Sequence, residues 1–272
     1  MQPEALWLAR IVVLAAVAGL GGAPAAQAGA WLRNEGQGTL IVALTASRGA
    51  GAFGDDGWTS GVGDFSKLGV SSYAEYGVTE GITALFRQDV QWAAFESPSG
   101  ARQSARRVGP FSAGARVAMW RTADAALSAE ALVTLAGDID AADRNLLAPH
   151  ATEWEARILF GWGGDVFAHH SFFDSQLGFR ARSGAPADEI DLDATVGREV
   201  SGETLLLFQS FNTFSATPAE PPFVTYRRHK VQLSSVHVLD SHVRLQLGAV
   251  FTFAGDRTAR EAGALVALWW NF

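Results

Sequence analysis

The feature that most constrains this chain is a regular alternation of apolar and polar residues that recurs in segment after segment. Between 154 and 162, Trp154, Ile158 and Trp162 occupy even positions, while Glu155 and Arg157 occupy odd ones. Successive side chains of a β-strand point to opposite faces, so each such segment predicts a strand with one apolar and one polar face. The segments are longer than the ~5–6 residues typical of soluble strands, and they suit the ~9–11 residues that a tilted strand needs to cross a bilayer.

Twelve segments carry the alternation, and the connections between them are short and long in turn. Short turns and longer loops rich in Gly, Pro, Asp and Ser are typical of barrels with periplasmic turns and larger outer loops. The sequence therefore predicts an all-β fold, a closed antiparallel transmembrane β-barrel of about 12 strands with both termini on the periplasmic side. Soluble β-sandwiches also alternate, and they are the alternative fold. The predicted strands are 38–46, 67–78, 81–95, 110–121, 126–137, 151–163, 167–182, 188–198, 203–214, 224–236, 242–254 and 260–272, and the predicted outer loops are 47–66, 96–109, 138–150, 183–187, 215–223 and 255–259.

Residues 1–28 have the pattern of a secretory signal peptide. Arg10 precedes an apolar run at 11–20, and Ala26-Gln27-Ala28 forms an A-x-A cleavage site. A transmembrane anchor is the alternative, but the run is shorter than the ~20 apolar residues that a spanning helix needs. We therefore expect 1–28 to be removed and 29–272 to form the barrel, which would reach the bacterial outer membrane through the periplasm.

Composition excludes several classes of protein. The 272 residues include no cysteine, which removes disulfides, thiolate metal sites and a cysteine nucleophile. The formal net charge is −7, and Lys67 and Lys230 are the only lysines. Nucleic-acid binding needs a basic face, so we expect no nucleic-acid partner. No phosphate-binding motif occurs either, and we expect no cofactor and no metal.

Aromatic residues lie near the ends of the predicted strands. Amphipathic rings favour the two membrane interfaces, where they form aromatic girdles. We therefore expect outer-membrane lipid around a monomeric barrel. The periplasmic girdle would contain Tyr76, Trp162, Trp270 and Phe272, and the outer girdle Trp92, Phe111, Trp154 and Phe253.

The polar faces of the strands predict a charged lumen. If the loop 183–187 closes its hairpin symmetrically, Arg182 faces Glu189, Arg180 faces Asp191 and Gly178 faces Asp193. Such charges either select solutes along an open path or neutralise one another in a filled lumen, and ~12 strands give an intermediate bore that allows both. Inward glycines such as Gly161 and Gly178 would make room for long side chains or a plug. The predicted lumen residues are Arg87, Arg116, Arg157, Arg180, Arg182, Glu189, Asp191 and Asp193.

Two motifs are candidates for chemical sites. His169 and Ser171 resemble the His-x-Ser pair of outer-membrane lipid A deacylases, but they start a strand at the periplasmic end and no acid is placed to orient the histidine. Asp138, Asp140 and Asp143 could bind calcium, although the spacing is not that of an EF-hand, and a solvated acidic loop fits better. Neither motif predicts a catalytic residue or a metal site, and we expect no enzyme.

The C-terminus Trp269-Trp270-Asn271-Phe272 resembles the signal that the barrel-assembly machinery reads in bacterial outer-membrane proteins, with Trp270 and Phe272 as its apolar residues. Together with the stretches WLRNEGQGTLI at 31–41 and YAEYGVT at 73–79, it resembles a group of proteobacterial outer-membrane proteins. That group comprises XagA-type proteins of adhesion and exopolysaccharide loci and proteins associated with the phenol meta-pathway. The resemblance implies an outer-membrane barrel and carries over no catalytic residue.

Three functions follow as hypotheses. The first is a channel or transport conduit for small solutes, in which the charged lumen sets selectivity. The second is a surface protein linked to exopolysaccharide export, adhesion or biofilm formation, with polysaccharide as the partner of the outer loops. The third is an outer-membrane lipid hydrolase.

Overall fold

The structure, a computed structural model, describes residues 29–56, 59–97, 99–136, 138–141, 151–221 and 223–272. Within these ranges the chain forms β-strands and no helix that could span a membrane. The predicted signal segment 1–28 and the loop residues 142–150 lie outside the described part.

The strands follow one another along the chain, and β6 is much shorter than the rest. They are β1 (Gly38–Phe53), β2 (Thr59–Thr79), β3 (Ile82–Glu96), β4 (Arg102–Arg121), β5 (Ala125–Leu135), β6 (Asp138–Ala141), β7 (Glu153–Val166), β8 (His169–Arg182), β9 (Glu189–Ser201), β10 (Thr204–Ser215), β11 (Arg227–Val238), β12 (Val243–Asp256) and β13 (Thr258–Asn271).

Twelve of these strands close into an antiparallel barrel. Each strand pairs with its neighbour along the chain, β5 pairs with β7, and β1 pairs with β13 from Thr39↔Asn271 to Phe53↔Thr258. The short β6 pairs with the outer part of β4. The predicted closed barrel of twelve strands is confirmed, and each of the twelve predicted segments overlaps one of its strands.

The two faces of the wall differ in the way the alternation predicts. On β8 and β9, Leu177, Phe179 and Leu192 are exposed on the outside, with Leu177 56% exposed, whereas Glu189 and Asp191 are buried inside. An apolar exterior around a polar interior is the arrangement of a barrel surrounded by lipid. Of the predicted girdles, Tyr76, Trp162 and Phe272 near one rim and Phe111, Trp154 and Phe253 near the other have exposed side chains.

Three of the predicted outer loops are wrong, because the loops are shorter in the structure than predicted. Most of 47–66 belongs to β1 and β2, most of 96–109 belongs to β3 and β4, and 255–259 shrinks to a turn at Arg257, whose φ is 49°. Pairing between neighbouring strands continues beyond the segments in which apolar and polar residues alternate. The alternation therefore does not indicate these extensions. The loop predicted at 138–150 begins with the strand β6.

The register predicted for the β8–β9 hairpin is wrong by two residues. Arg180 pairs with Glu189, Gly178 with Asp191, and Gln176 with Asp193. Pairing between the two strands ends at Arg180 and Glu189, so residues 181–188 lie outside it, and there the Arg182 backbone N–H donates to the Asp188 carboxylate at 2.8 Å. The shift is even, so every side chain keeps its predicted face.

Candidate functional site: the charged lumen

Arg116 is the centre of the ion pairs on the inner face of β2 to β5. Its guanidinium lies 2.9 Å from the Glu75 carboxylate and 2.8 Å from that of Glu130. Arg33 approaches Glu75 at 2.7 Å, and Arg87 approaches Glu130 at 2.8 Å. Arg116 is only 2% exposed, so its charge is balanced by neighbouring carboxylates rather than by water.

A second group of ion pairs lies on the inner face of β7 to β9. Arg180 binds Glu189 at 2.6 Å, and Asp191 and Glu155 each at 2.9 Å. Arg157 pairs with Glu155 on its own strand and with Asp193 at 2.8 Å across two strands. The Cβ of a residue at Gly178 would lie 3.0 Å from the Arg157 side chain, so this glycine does make room for a long side chain.

One contact joins the two groups into a single network. Arg87 lies 3.6 Å from Glu155, which bridges β3 to β7 across the lumen. Within the part of the chain that the structure describes, the network contains six arginines and seven carboxylates, and its acids nearly balance its bases. Most members are buried, while Arg87 and Arg180 are 31% and 21% exposed. These two side chains are therefore the most exposed cations of the network.

The outer end of the network is closed by a tyrosine from the loop before β11. The Tyr226 hydroxyl donates to the Glu189 carboxylate, and Arg182 pairs with the same carboxylate at 2.8 Å. Burial, together with the negative charge of Glu189, raises the pKa of Tyr226 to about 12. The phenol therefore stays protonated and acts as a hydrogen-bond donor at physiological pH.

The wall formed by β10 to β13 is less densely charged: its inner face carries Arg228, Lys230, Arg244 and Glu261, and the residues between them are mostly apolar or amide-bearing. Leu205, Leu207 and Val236 are buried on its inner side, and the amide of Gln232 donates to Gln209 at 2.8 Å. Nearer the outer end, Lys67 and Lys230 both pair with Glu261, at 3.0 and 2.5 Å. The lumen thus combines a densely charged wall with one that has fewer charges and more apolar and amide side chains.

The N-terminal segment, residues 29–37, lies across the end of the lumen at which β1 begins and β13 ends. The indole of Trp31 packs against both Leu159 and the cluster that contains Phe172 and Val236, so it spans the bore. A Cβ at Gly161 would lie 2.2 Å from the Trp31 ring, which shows that this inward glycine makes room for the plugging side chain. Gly36 and Gly77 then hydrogen-bond at 2.9 Å and lead the segment into β1.

All eight predicted lumen residues lie on the inner face and belong to this network. The ion pairs Arg182–Glu189 and Arg180–Asp191 form as diagonal contacts, although the strand register differs from the predicted one. Sequence reasoning missed Arg33 and Tyr226, which lie outside the alternating segments. It also missed Asp174 and Glu261 as lumen residues, although their parity along β8 and β13 would have placed them inside.

The structure adds no support for either candidate chemical motif, His169 with Ser171 or Asp138 with Asp140 and Asp143. The Ser171 hydroxyl donates to the backbone oxygen of His169 at 3.3 Å, and the His169 imidazole makes no hydrogen bond or ion pair to any described residue. The side chains of Asp138 and Asp140, and all of Asp143, lie outside the described residues. Over the described ranges, no group of three His, Asp or Glu residues could hold a metal.

The last strand ends at the seam of the barrel. The Phe272 N–H donates to the Gly38 carbonyl at 3.0 Å, and Gly38 returns a hydrogen bond at 2.7 Å. The rings of Trp270 and Phe272 lie 5.0 Å apart. The C-terminal residues therefore belong to the strand pair that closes the ring.

A closed twelve-stranded barrel with an apolar exterior and a charged interior has the fold of outer-membrane β-barrels. An outer membrane channel from Pseudomonas putida F1 superposes with a TM-score of 0.71 at 11% identity, over 92% of this chain and 100% of that one. The transport unit of the autotransporter AIDA-I from Escherichia coli gives 0.54 at 10% identity, over 100% of both chains. The translocator domain of the autotransporter NalP from Neisseria meningitidis gives 0.50 at 13% identity, over 89% of this chain and 91% of that one.

Sequence comparison gives no family. No protein-family model and no curated protein sequence matches this chain. The structural likenesses have low identity, and they establish the shared barrel architecture.

Proposed function

We propose that this chain is a channel or transport conduit for small solutes in the bacterial outer membrane, reached by export through the periplasm. The proposal is supported by a barrel with an apolar exterior that encloses ionised side chains, an interior that suits a solute path across lipid. The fold likeness to an outer membrane channel points the same way. The observation that carries it is the pair of partly exposed cations, Arg87 and Arg180, held in place by buried carboxylates.

In our proposal, the N-terminal segment determines whether this conduit is open or closed. Trp31 fills the periplasmic end between the two walls, so solutes pass only when the segment moves aside. The resting protein is therefore a restricted channel. Its selectivity is set further out, where Arg87 and Arg180 line the lumen opposite the less charged wall.

Planar-bilayer recording tests the proposal. We expect discrete conductance steps, and we expect Arg87→Gln with Arg180→Gln to change the ratio of anion to cation permeability by roughly twofold or more, because fixed lumen charges act at short range. Arg102→Gln is the matched control, since Arg102 pairs with Glu96 on the outside and its side chain is 80% exposed. Absence of steps both from the folded parent and from folded Trp31→Ala, in which the bore is less filled, would overturn the channel proposal.

The second candidate is a surface protein for exopolysaccharide export or adhesion, the role suggested by the resemblance to XagA-type proteins. The length of the outer hairpins favours it, because β2 has 21 residues and β4 has 20, well beyond the ~9–11 needed to cross lipid. Replacing the loop 97–101 by a two-residue turn should then reduce adhesion or polysaccharide on the cell surface while the barrel still folds. Unchanged adhesion and polysaccharide would count against this role.

We further propose that the chain has no hydrolase activity and that Trp270 and Phe272 form its signal for the barrel-assembly machinery. The first part predicts that purified protein releases no fatty acid from lipid A or phospholipid, with Ser171→Ala indistinguishable from the parent. The second predicts that removing Phe272 lowers the yield of folded barrel in cells. Release of fatty acid that depends on Ser171, or an unchanged yield, would contradict the respective part.

A further inference from the structure

Asp174 is a buried carboxylate on the inner face of β8 with no cationic side chain of the described residues within salt-bridge distance. It is 2% exposed, and it forms no salt bridge with any Lys, Arg or His of the described ranges. Its oxygens accept hydrogen bonds from the Ala30 backbone N–H and from the Gln176 amide, both at 2.9 Å. Burying a carboxylate without a compensating cation is costly, so this position calls for a positive group.

The backbone nitrogen of Gly29 is the group best placed to supply that positive charge. A Cβ placed on Gly29 would lie 3.5 and 3.6 Å from the two Asp174 oxygens and 2.9 Å from the Gln176 amide nitrogen. The Gly29 nitrogen is bonded to the same α-carbon at ~1.46 Å, so it lies within about 6 Å of the carboxylate. The A-x-A motif that ends at Ala28 makes Gly29 the first residue after cleavage.

We propose that Asp174 is the binding site for the α-ammonium group of the mature chain at Gly29. Hydrolysis of the Ala28–Gly29 peptide bond consumes one water and leaves a carboxylate on the leader and an ammonium on Gly29. Before cleavage this nitrogen is a neutral amide, so the charge pair exists only in the processed protein. Removal of the leader thereby supplies the cation that the buried Asp174 lacks.

This pairing would fix the N-terminal segment at its first residue. Two positions further on, Trp31 fills the bore, and Arg33 pairs with Glu75 at 2.7 Å on the other side. The segment is then held by charge at both ends, with the indole between them. Formation of this ion pair depends on maturation of the chain, and it can be tested without measuring solute transport.

The test measures how fast the α-amine of folded, purified protein reacts with an amine-labelling reagent at neutral pH. Intact mass should first show a mature chain that begins at Gly29. An opposite charge within ~4–6 Å stabilises the ammonium over the reactive neutral amine, so we expect labelling to be about tenfold slower or more in the parent than in Asp174→Asn.

Two further proteins make the result specific. Asp193→Asn removes another lumen carboxylate, one that pairs with Arg157, and should label as slowly as the parent. One alanine inserted between Ala28 and Gly29 moves the ammonium ~3.8 Å along the chain and leaves Asp174 intact, so it should label as fast as Asp174→Asn. The insertion also serves if Asp174→Asn fails to fold. A mature chain that begins elsewhere, or a parent that labels as fast as the insertion variant, would overturn the proposal.

Discussion

At the scale of the residue, the buried charged side chains of the lumen are stabilised by pairing with one another. Arg116 touches Glu75 and Glu130 together, and each of these acids also holds a second arginine. Removing one member leaves its partners buried and unbalanced, which costs far more than an exposed ion pair contributes. The network is therefore both a lining and a structural support of the barrel.

Replacement of Arg116 tests this interpretation. We expect Arg116→Met to lower the free energy of unfolding by about 3–5 kcal/mol, because two buried carboxylates lose their shared partner. Urea-induced unfolding in a lipid or detergent environment gives the value. Arg102→Met on the exposed outer pair should cost less than about 1 kcal/mol. Equal losses in the two variants would show that burial of the network contributes nothing.

The contact between Trp31 and Gly161 gives a second test. A methyl group at Gly161 would lie 2.2 Å from the Trp31 ring, whereas one at Gly163 meets its neighbours at 3.8 Å. We expect Gly161→Ala to destabilise the folded protein by about 1–3 kcal/mol through overpacking, and Gly163→Ala to have little effect. In a Trp31→Ala background the cost of Gly161→Ala should disappear. A cost that persists there would mean that Trp31 does not occupy this space.

At the scale of the element, the strands could be predicted from the sequence, whereas the position of the N-terminal segment and the β8–β9 register could not. Lipid outside and charge inside impose a period of two, which is why segments such as 154–162 indicate their inward residues directly. The position of the N-terminal segment depends on distant contacts, of Trp31 with β7 and of Arg33 with Glu75, and no local pattern encodes them. The hairpin register was predicted wrongly because contacts within the connection, such as the hydrogen bond from the Arg182 N–H to the Asp188 carboxylate, are not encoded by the alternation of apolar and polar residues.

The β8–β9 register can be tested with disulfides, since the parent chain has no cysteine. Phe179 lies opposite Ile190, so cysteines at 179 and 190 should form a disulfide nearly completely under mild oxidation. Cysteines at 179 and 192, which the symmetric loop would have paired, lie on a diagonal of ~7–8 Å and should stay mostly reduced. Gel mobility under non-reducing conditions separates the forms. Preferential oxidation of the 179/192 pair would restore the symmetric register.

At the scale of the whole molecule, the barrel is organised around an interior that is more polar than its surface. The twelve strands remove every free sheet edge within the ring, and the apolar residues that a soluble protein would bury face outward. The interior has a densely charged wall, a less charged wall, and a segment of the same chain that lies across one end. In the conduit that we propose, opening requires movement of residues 29–37.

The most direct test of the account is the environment of successive side chains along β8 in lipid. Single cysteines at 176 to 181, each carrying a spin label, can be compared for collisions with oxygen, which concentrates in lipid, and with a water-soluble nickel complex. We predict that labels at 177, 179 and 181 collide mainly with oxygen and that labels at 176, 178 and 180 do not. Accessibility without this alternation, or with the two sets exchanged, would contradict a barrel with lipid outside and a polar lumen inside.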